Sequence, residues 1–421
     1  MNITGDCTFD KKTTTTKGIY QMSAVPLETI KDLLTEAVNF QRLEQGRGRQ
    51  QAVAEGRKPD YAPLLLGYRT HALPMFPEDL SLINAEHFLD GGLVIPEIAD
   101  YPHYPMIEQV QSPAKMLYEV LWGILSWARA PSDAQLSIRV TLISSVLTCF
   151  GVEYEINDQG CAWFPKPISL DRAINSDVAD LAGSGQVPLV LEHLRFFKEN
   201  IVPGVKIGCP IAMGPFNIID AMLGADLWLL LHDEPDKIHV LMAKITDVII
   251  RLVKLYKEVL GESLGTAEIG PLYLARGGVK IGSDSMVMMS PEMYKEFVQP
   301  CTERLCREFS GGYHHSCGYY PKHFEFLCRA EHLTCINFGQ PELWDIGEAA
   351  HQLSAHGKFY YGGWDRKTNE PIEEYLRRGV GICGPDRNRA ILYAYGEREH
   401  WPEPAKTMEL WHRLQDEMYP S

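Results

Sequence analysis

No stretch of the chain reaches the roughly 18 to 20 apolar residues that a helix needs to cross a bilayer. The amino terminus, MNITGDCTFDKKTTTTKG, has no basic start followed by an apolar run. These absences exclude a membrane helix and a secretory signal, so the expected compartment is the cytoplasm. Lysine and arginine form no block, and 40 of them against 55 acidic residues give a net charge of −15. A broad phosphate-binding face is excluded, and nucleic acid with it. Disulfide-dense spacing is missing too: ten cysteines are scattered over 421 residues, which fits free thiols in a reducing compartment. Any cysteine with a function is then a thiolate or a metal ligand. What is present is a 45% hydrophobic, 23% charged chain, apolar enough for a large core and long enough for one α/β barrel with insertions or for two domains.

Residues 1–20 are polar, with four consecutive threonines and no periodic apolar face, and are expected to form a flexible arm ahead of one unit over 21–421. Between Pro26 and Glu55, Ile30, Leu33, Leu34, Ala37 and Val38 recur at helical spacing, which predicts leading helices that Pro59 and Asp60 stop. YAPLLLGY, 61–68, has the length and bulk of a buried strand. The stretch 76–170, rich in proline and aromatics, is too long for a single loop and is expected as a cap-like region over the barrel mouth. After Val205 the rhythm becomes regular. KIGCPIAMGPF reads as a strand leaving through a loop, and Asp236 to Leu260 as a long amphipathic helix. VKIGSDSMVMM, SPEMYKEF, GGYHHSCG, LTCINFG and KFYYGGWD then repeat the strand and helix alternation of a parallel sheet.

His315-Ser316-Cys317-Gly318 falls at the expected end of a strand, where alternate residues point to the same side, so His315 and Cys317 can reach one ion. Imidazole nitrogen and thiolate sulfur are zinc ligands, and a catalytic zinc takes one more protein ligand and keeps a position open. The plainer reading is a strand-end histidine and a buried thiol. Cys335 offers another sulfur, though its apolar neighbours favour core packing; Glu268 and Asp284 offer oxygen. Asp284 lies just before a helix that Ser290 would cap and Pro291 would open, so it either points into the barrel or bonds loop amides. Asp365, ending YYGGWD, stands evenly between a site role and a loop role, and His314 should face away from His315.

Taken in order, EGRKPDYAP, GPFNIIDAMLGADLWLLLHDEPDKIHVLM, SDSMVMMSPEMYKEFVQP, HHSCGYYPKHFEFL and YYGGWD resemble the uroporphyrinogen decarboxylase superfamily from about Glu55 to Trp411. The resemblance implies an α/β fold, a single (β/α)8 TIM barrel with an N-terminal helical extension and a cap-like insertion, its site at the carboxyl ends of the strands. It places His315 and Cys317 where the family's zinc methyltransferases carry a His-x-Cys, with a further cysteine followed by glycine completing the zinc site. Cys383, 66 residues beyond Cys317 and just before Gly384, is the first candidate, although the family's cysteine aligns nearer to Leu392-Tyr393-Ala394-Tyr395, which has none. Glu268 and Asp284 come next. For the superfamily's decarboxylases the resemblance implies an aspartate near the end of an early strand that holds pyrrole nitrogens, for which Asp90 is the candidate, with Glu97 nearby. Their arginine-rich amino-terminal segment is not found; Arg47, Arg49 and Arg57 do not match its spacing.

Three functions follow. The first is a zinc-dependent methyltransferase moving a methyl group between a methylated corrinoid, or another donor, and a thiol or similar acceptor, since zinc turns a protonated thiol into a nucleophilic thiolate near neutral pH. The corrinoid would arrive on a partner protein. The second is a metal-independent decarboxylase of uroporphyrinogen type, with Asp90 or Asp284 stabilising positive charge on the substrate; the third is a non-catalytic binding protein on the same barrel. A small-molecule substrate is the expected partner, and a homo-oligomer stays open.

Overall fold

The structure, a computed structural model, describes residues 25–68, 102, 104–141, 144–156, 162–163, 166–211, 213–396 and 404–420. Asp90, Glu97, the 1–20 arm and much of 76–170 lie outside these residues.

Eight parallel strands follow one another around a closed barrel. They are β1 (Leu64–Tyr68), β2 (Ser137–Ile138), β3 (Lys206–Ile207), β4 (Val279–Gly282), β5 (Gly312–Ser316), β6 (Leu333–Phe338), β7 (Phe359–Gly362) and β8 (Ala390–Gly396). One continuous ladder runs β4-β5-β6-β7-β8-β1, and the closing pair sets Leu64 opposite Leu392 and Leu65 opposite Tyr393. β2 and β3 pair with each other. Two short joints complete the circle. Between β3 and β4 a bridge sets Met213 against Gly282, and the Gly214 N–H donates to the Gly282 carbonyl at 2.7 Å. Between β1 and β2, Asp133 takes over the ladder: its N–H donates to the Leu64 carbonyl at 3.1 Å, and its carboxylate accepts from the Leu64 N–H at 3.0 Å. Strands buried on both faces explain the unbroken apolar runs, as in the fully buried Leu64 and Leu65 or the six buried residues of β6.

Two helices precede the barrel, α1 (Leu27–Ala37) and α2 (Phe40–Ala54), the latter opened by the Asn39 side chain accepting from the Arg42 N–H. From α2, Arg49 reaches Asp133 at 2.7 Å and Asp60 at 2.8 Å, which ties the extension to the amino-terminal end of the barrel. The stretch 76–170 is not a cover throughout. It contains α3 (Pro113–Arg129), β2 and an antiparallel pair, Glu155–Ile156 with Ala162–Trp163. A strand of two residues leaves no periodicity to read, so β2 was invisible in the sequence. α4 (Pro215–Leu223) follows β3, and α5 (Pro235–Leu260) is the long amphipathic helix, with proline in its first turn and Gly261 at φ 72° ending it. Its buried Ile238, Leu241, Ile245, Ile249, Leu252 and Tyr256 repeat at three- and four-residue steps. Burying each such side chain contributes roughly 1.5–3 kcal/mol. No helix of the described residues is long and apolar enough to cross a membrane.

Candidate functional site

The parallel ladder carries the site. Gly282 of β4 stands opposite His315 of β5, and Asn337 of β6 opposite His315 on the other side. Just past these positions the chain leaves each strand at the carboxyl end, the end at which barrel enzymes assemble their chemistry. Asp284 leaves β4 into a short 3-10 turn, and Cys317 follows β5. The Asp284 Oδ1 accepts from the Cys317 N–H at 2.8 Å, while the Ser283 N–H donates to the His315 carbonyl at 2.9 Å, so the two strand ends are stitched together.

Three donor atoms converge here. His315 Nε2 lies 3.7 Å from Cys317 Sγ and 3.6 Å from Asp284 Oδ1, and all three ligand atoms fall within 4.8 Å of one another. Zinc bonds of about 2.1 and 2.3 Å at a tetrahedral angle separate two ligands by about 3.6 Å, so the donor set has the spacing of a metal site. The side chains are half-buried, with His315 26% exposed and Asp284 44%, which leaves one side open to a further ligand.

The imidazole is held in one orientation. Asn337 Oδ1 lies 2.6 Å from His315 Nδ1, and the Asn337 amide donates to the Tyr361 carbonyl at 2.7 Å. With its NH2 committed to that carbonyl, Asn337 presents an oxygen, so Nδ1 carries the proton and Nε2 keeps its lone pair toward Asp284 and Cys317. Asp284 is supported from α4, where Asn217 donates to its Oδ2 at 3.3 Å and accepts from the Ser285 N–H at 3.2 Å.

Two glycines make room. Gly318 has φ 85°, in the left-handed region that favours glycine, and this turn directs its N–H to Gln340 and its carbonyl to the Trp344 indole N–H at 3.1 Å. At Gly339 a Cβ would lie 2.7 Å from Cys317 Sγ, so only glycine lets β6 pass beside the thiol. Burial, then the neighbouring Asp284 charge, push the Cys317 thiol up to about 11. Without a cation the sulfur is therefore protonated at neutral pH. A metal would reverse that balance.

The other residues singled out in the sequence stand elsewhere. Cys383 ends α6 (Ile372–Cys383), buried, with its Sγ 3.9 Å from the Ala390 carbonyl, and lies outside the converging group of Asp284, His315 and Cys317. Glu268 sits in the hairpin of Ala267–Ile269 with Leu272–Leu274 and pairs with Arg47 at 2.8 Å. Asp365 follows β7 on the same rim but is exposed, its backbone carbonyl accepting from Arg378 at 2.6 Å, and its carboxylate lies outside the converging group. Cys335 is fully buried within β6. His314 faces away from His315, fully buried with neither ring nitrogen hydrogen-bonded, and burial lowers it to about 3. Sequence reasoning missed Asn337, Asn217 and Gly339. An asparagine inside the apolar strand LTCINF was the available signal, because strands select against that residue unless something holds its amide.

The sequence profile described as uroporphyrinogen decarboxylase (URO-D) matches residues 127–362, more than half of the chain. Among solved structures, a methyltransferase from Methanosarcina mazei superposes with a TM-score of 0.56 at 14% identity, covering 89% of this chain and 98% of that one. At that identity the likeness is one of fold. No curated protein sequence matches the chain.

Proposed function

The chain belongs to the uroporphyrinogen decarboxylase family, and from that premise we propose that it is a zinc-dependent methyltransferase, with Asp284, His315 and Cys317 as the protein ligands. The observation that carries this reading is the convergence of one nitrogen, one sulfur and one oxygen donor at the carboxyl end of adjacent strands, with the histidine tautomer set by Asn337. Bound zinc would supply a Lewis-acid centre that keeps an acceptor thiol as its thiolate. The protein's own groups do the rest. Asn337 holds the His315 proton on Nδ1, the Cys317 N–H fixes the Asp284 carboxylate, and Gly339 leaves the sulfur space to turn toward the cavity. Two of the three ligands would be anionic once bound, which offsets the dication and would keep a bound thiolate electron-rich enough to act as a nucleophile. The methyl donor in this reading is a methylated corrinoid carried by a separate protein, or another activated methyl compound.

The test is metal analysis of the purified protein beside an assay of methyl transfer from methylcobalamin to a small thiol. About one zinc per chain, lost in Cys317→Ser, and activity that disappears on chelation and returns with zinc are expected. Full activity of metal-free protein would end the proposal, as would stoichiometric zinc that survives removal of both His315 and Cys317.

A further inference from the structure

The chain leaves β5 through Cys317 and turns at once. Gly318 takes φ 85°, and a Cβ there would meet Val287 no closer than 3.6 Å, so conformation and not space calls for glycine. Turned out of the ladder, the N–H and carbonyl of this residue need partners from elsewhere. One loop supplies both. After β6, Gln340 opens a single 3-10 turn, Pro341–Leu343, and Trp344 closes it with its backbone N–H donating to the Pro341 carbonyl at 3.1 Å. The Gly318 N–H donates to Gln340 Oε1, and the Trp344 indole N–H donates to the Gly318 carbonyl at 3.1 Å. Two side chains of one short turn thus grip both polar backbone groups of one residue.

The grip is itself anchored. At one end the Gly339 N–H donates to the Ser316 carbonyl at 2.9 Å, and at the other the Asp345 side chain accepts from the Glu348 N–H at 2.9 Å and starts the next helix. The indole lies flat on Phe338, ring centres 4.0 Å apart and 6° from parallel, while Tyr319, Tyr320 and Phe324 meet it edge-on at 5.0, 4.9 and 5.4 Å. Phenylalanine would serve such packing equally; the indole adds an N–H, and that N–H is used on Gly318. From the β4 side, Asp284 accepts from the Cys317 N–H at 2.8 Å. Cys317 is therefore held on one side by a member of the converging set and on the other by two residues outside it.

We propose that Gln340 and Trp344 are positioning residues of the donor site: by holding the turn at Gly318 they place the Cys317 sulfur beside His315 Nε2 and Asp284 Oδ1 ahead of the metal. A sulfur already in place spares the metal from ordering the chain as it binds, which is how contacts outside the ligand shell raise affinity. The benefit to a metal rests on the zinc reading; the restraint on the sulfur does not.

The test uses the full chain with two readouts. Zinc affinity is measured by competition with a chromophoric chelator, and in metal-free protein the alkylation of Cys317 by iodoacetamide is followed by mass spectrometry of its peptide. Trp344→Phe keeps the ring stack and loses the N–H, Gln340→Met loses the acceptor, and Gln340→Glu keeps it. The first two are each expected to lower zinc affinity about tenfold. They should also speed alkylation about fivefold, because one hydrogen bond fewer lets the sulfur swing out. Gln340→Glu should move both readouts far less. Phe324→Leu thins the aromatic packing but leaves both hydrogen bonds, so it should melt lower than Trp344→Phe and yet keep wild-type affinity and alkylation. Unchanged affinity and alkylation in both Trp344→Phe and Gln340→Met overturn the proposal, as does a Phe324→Leu variant that loses as much affinity as Trp344→Phe. Failure of the zinc reading looks different: the wild type takes no zinc, while faster alkylation of the metal-free variants still upholds the restraint.

Discussion

The Nδ1 nitrogen of His315 stands 2.6 Å from the Oδ1 oxygen of Asn337, so the tautomer of the histidine is decided from the next strand. Outer contacts of this kind set ligand orientation and basicity, and their loss typically lowers metal affinity by about 10- to 100-fold. Asn337→Leu is expected to weaken zinc binding by that factor, and Asn337→Asp, which keeps the acceptor, by less. Competition against a chromophoric chelator reads both. Equal affinities for wild type and Asn337→Leu would refute the role.

In the proposed site the third donor is an oxygen. Asp284→Ala should lower zinc affinity as severely as Cys317→Ser, because each removes one of three ligands. Cys383→Ser should leave zinc affinity unchanged, since that thiol is buried at the end of α6 beside the Ala390 carbonyl. Zinc loss in Cys383→Ser with retention in Asp284→Ala would reverse the assignment.

Stability at acid pH should depend on His412. Its ring stacks on Tyr61 at 4.0 Å with Nε2 buried and unbonded, and burial, followed by the nearby Arg49 charge, lowers it to about 4. The unfolded histidine titrates near 6.5, so between those values the unfolded state binds more protons and stability falls as pH falls. From pH 7 to pH 5 this costs up to about 2 kcal/mol. His412→Phe keeps the stacking and removes the titration, so its melting temperature should fall less over that interval than the wild type's. Parallel pH profiles would show that His412 is neutral to folding.

Closure between β1 and β2 should depend on Asp133. Its carboxylate accepts from Arg49 at 2.7 Å and from the Leu64 N–H at 3.0 Å, and the residue is buried. Asp133→Ala leaves the buried Leu64 N–H without its acceptor and Arg49 with Asp60 as its remaining carboxylate, a loss expected to cost about 1–3 kcal/mol. Denaturant unfolding measures it. Arg49→Met should cost less in the Asp133→Ala background than in the wild type, because one of the two carboxylates it pairs with is already gone.

The long helix over 235–260 and the strands from Val279 to Phe338 were legible because their side chains repeat with clear periods or form unbroken apolar runs. β2 was not, since its place in the sheet comes from β3 and from Asp133, neither of which leaves a local pattern. At the site, His315 and Cys317 share a face because alternation along one strand is a local rule. Asp284 was one of several oxygen donors, and Cys383 was preferred to it, because sequence spacing measures distance along the chain and the barrel brings residues together across it.

By itself the sequence determined the strand and helix alternation and the His-x-Cys pair at a strand end. Only the tertiary structure decided that Asp284 lies beside His315 and Cys317 and that Asn337 lies within hydrogen-bond distance of the imidazole. Each of those relationships joins different strands, and the register of a closed parallel barrel is set by the packing of the whole circle rather than by any segment of it.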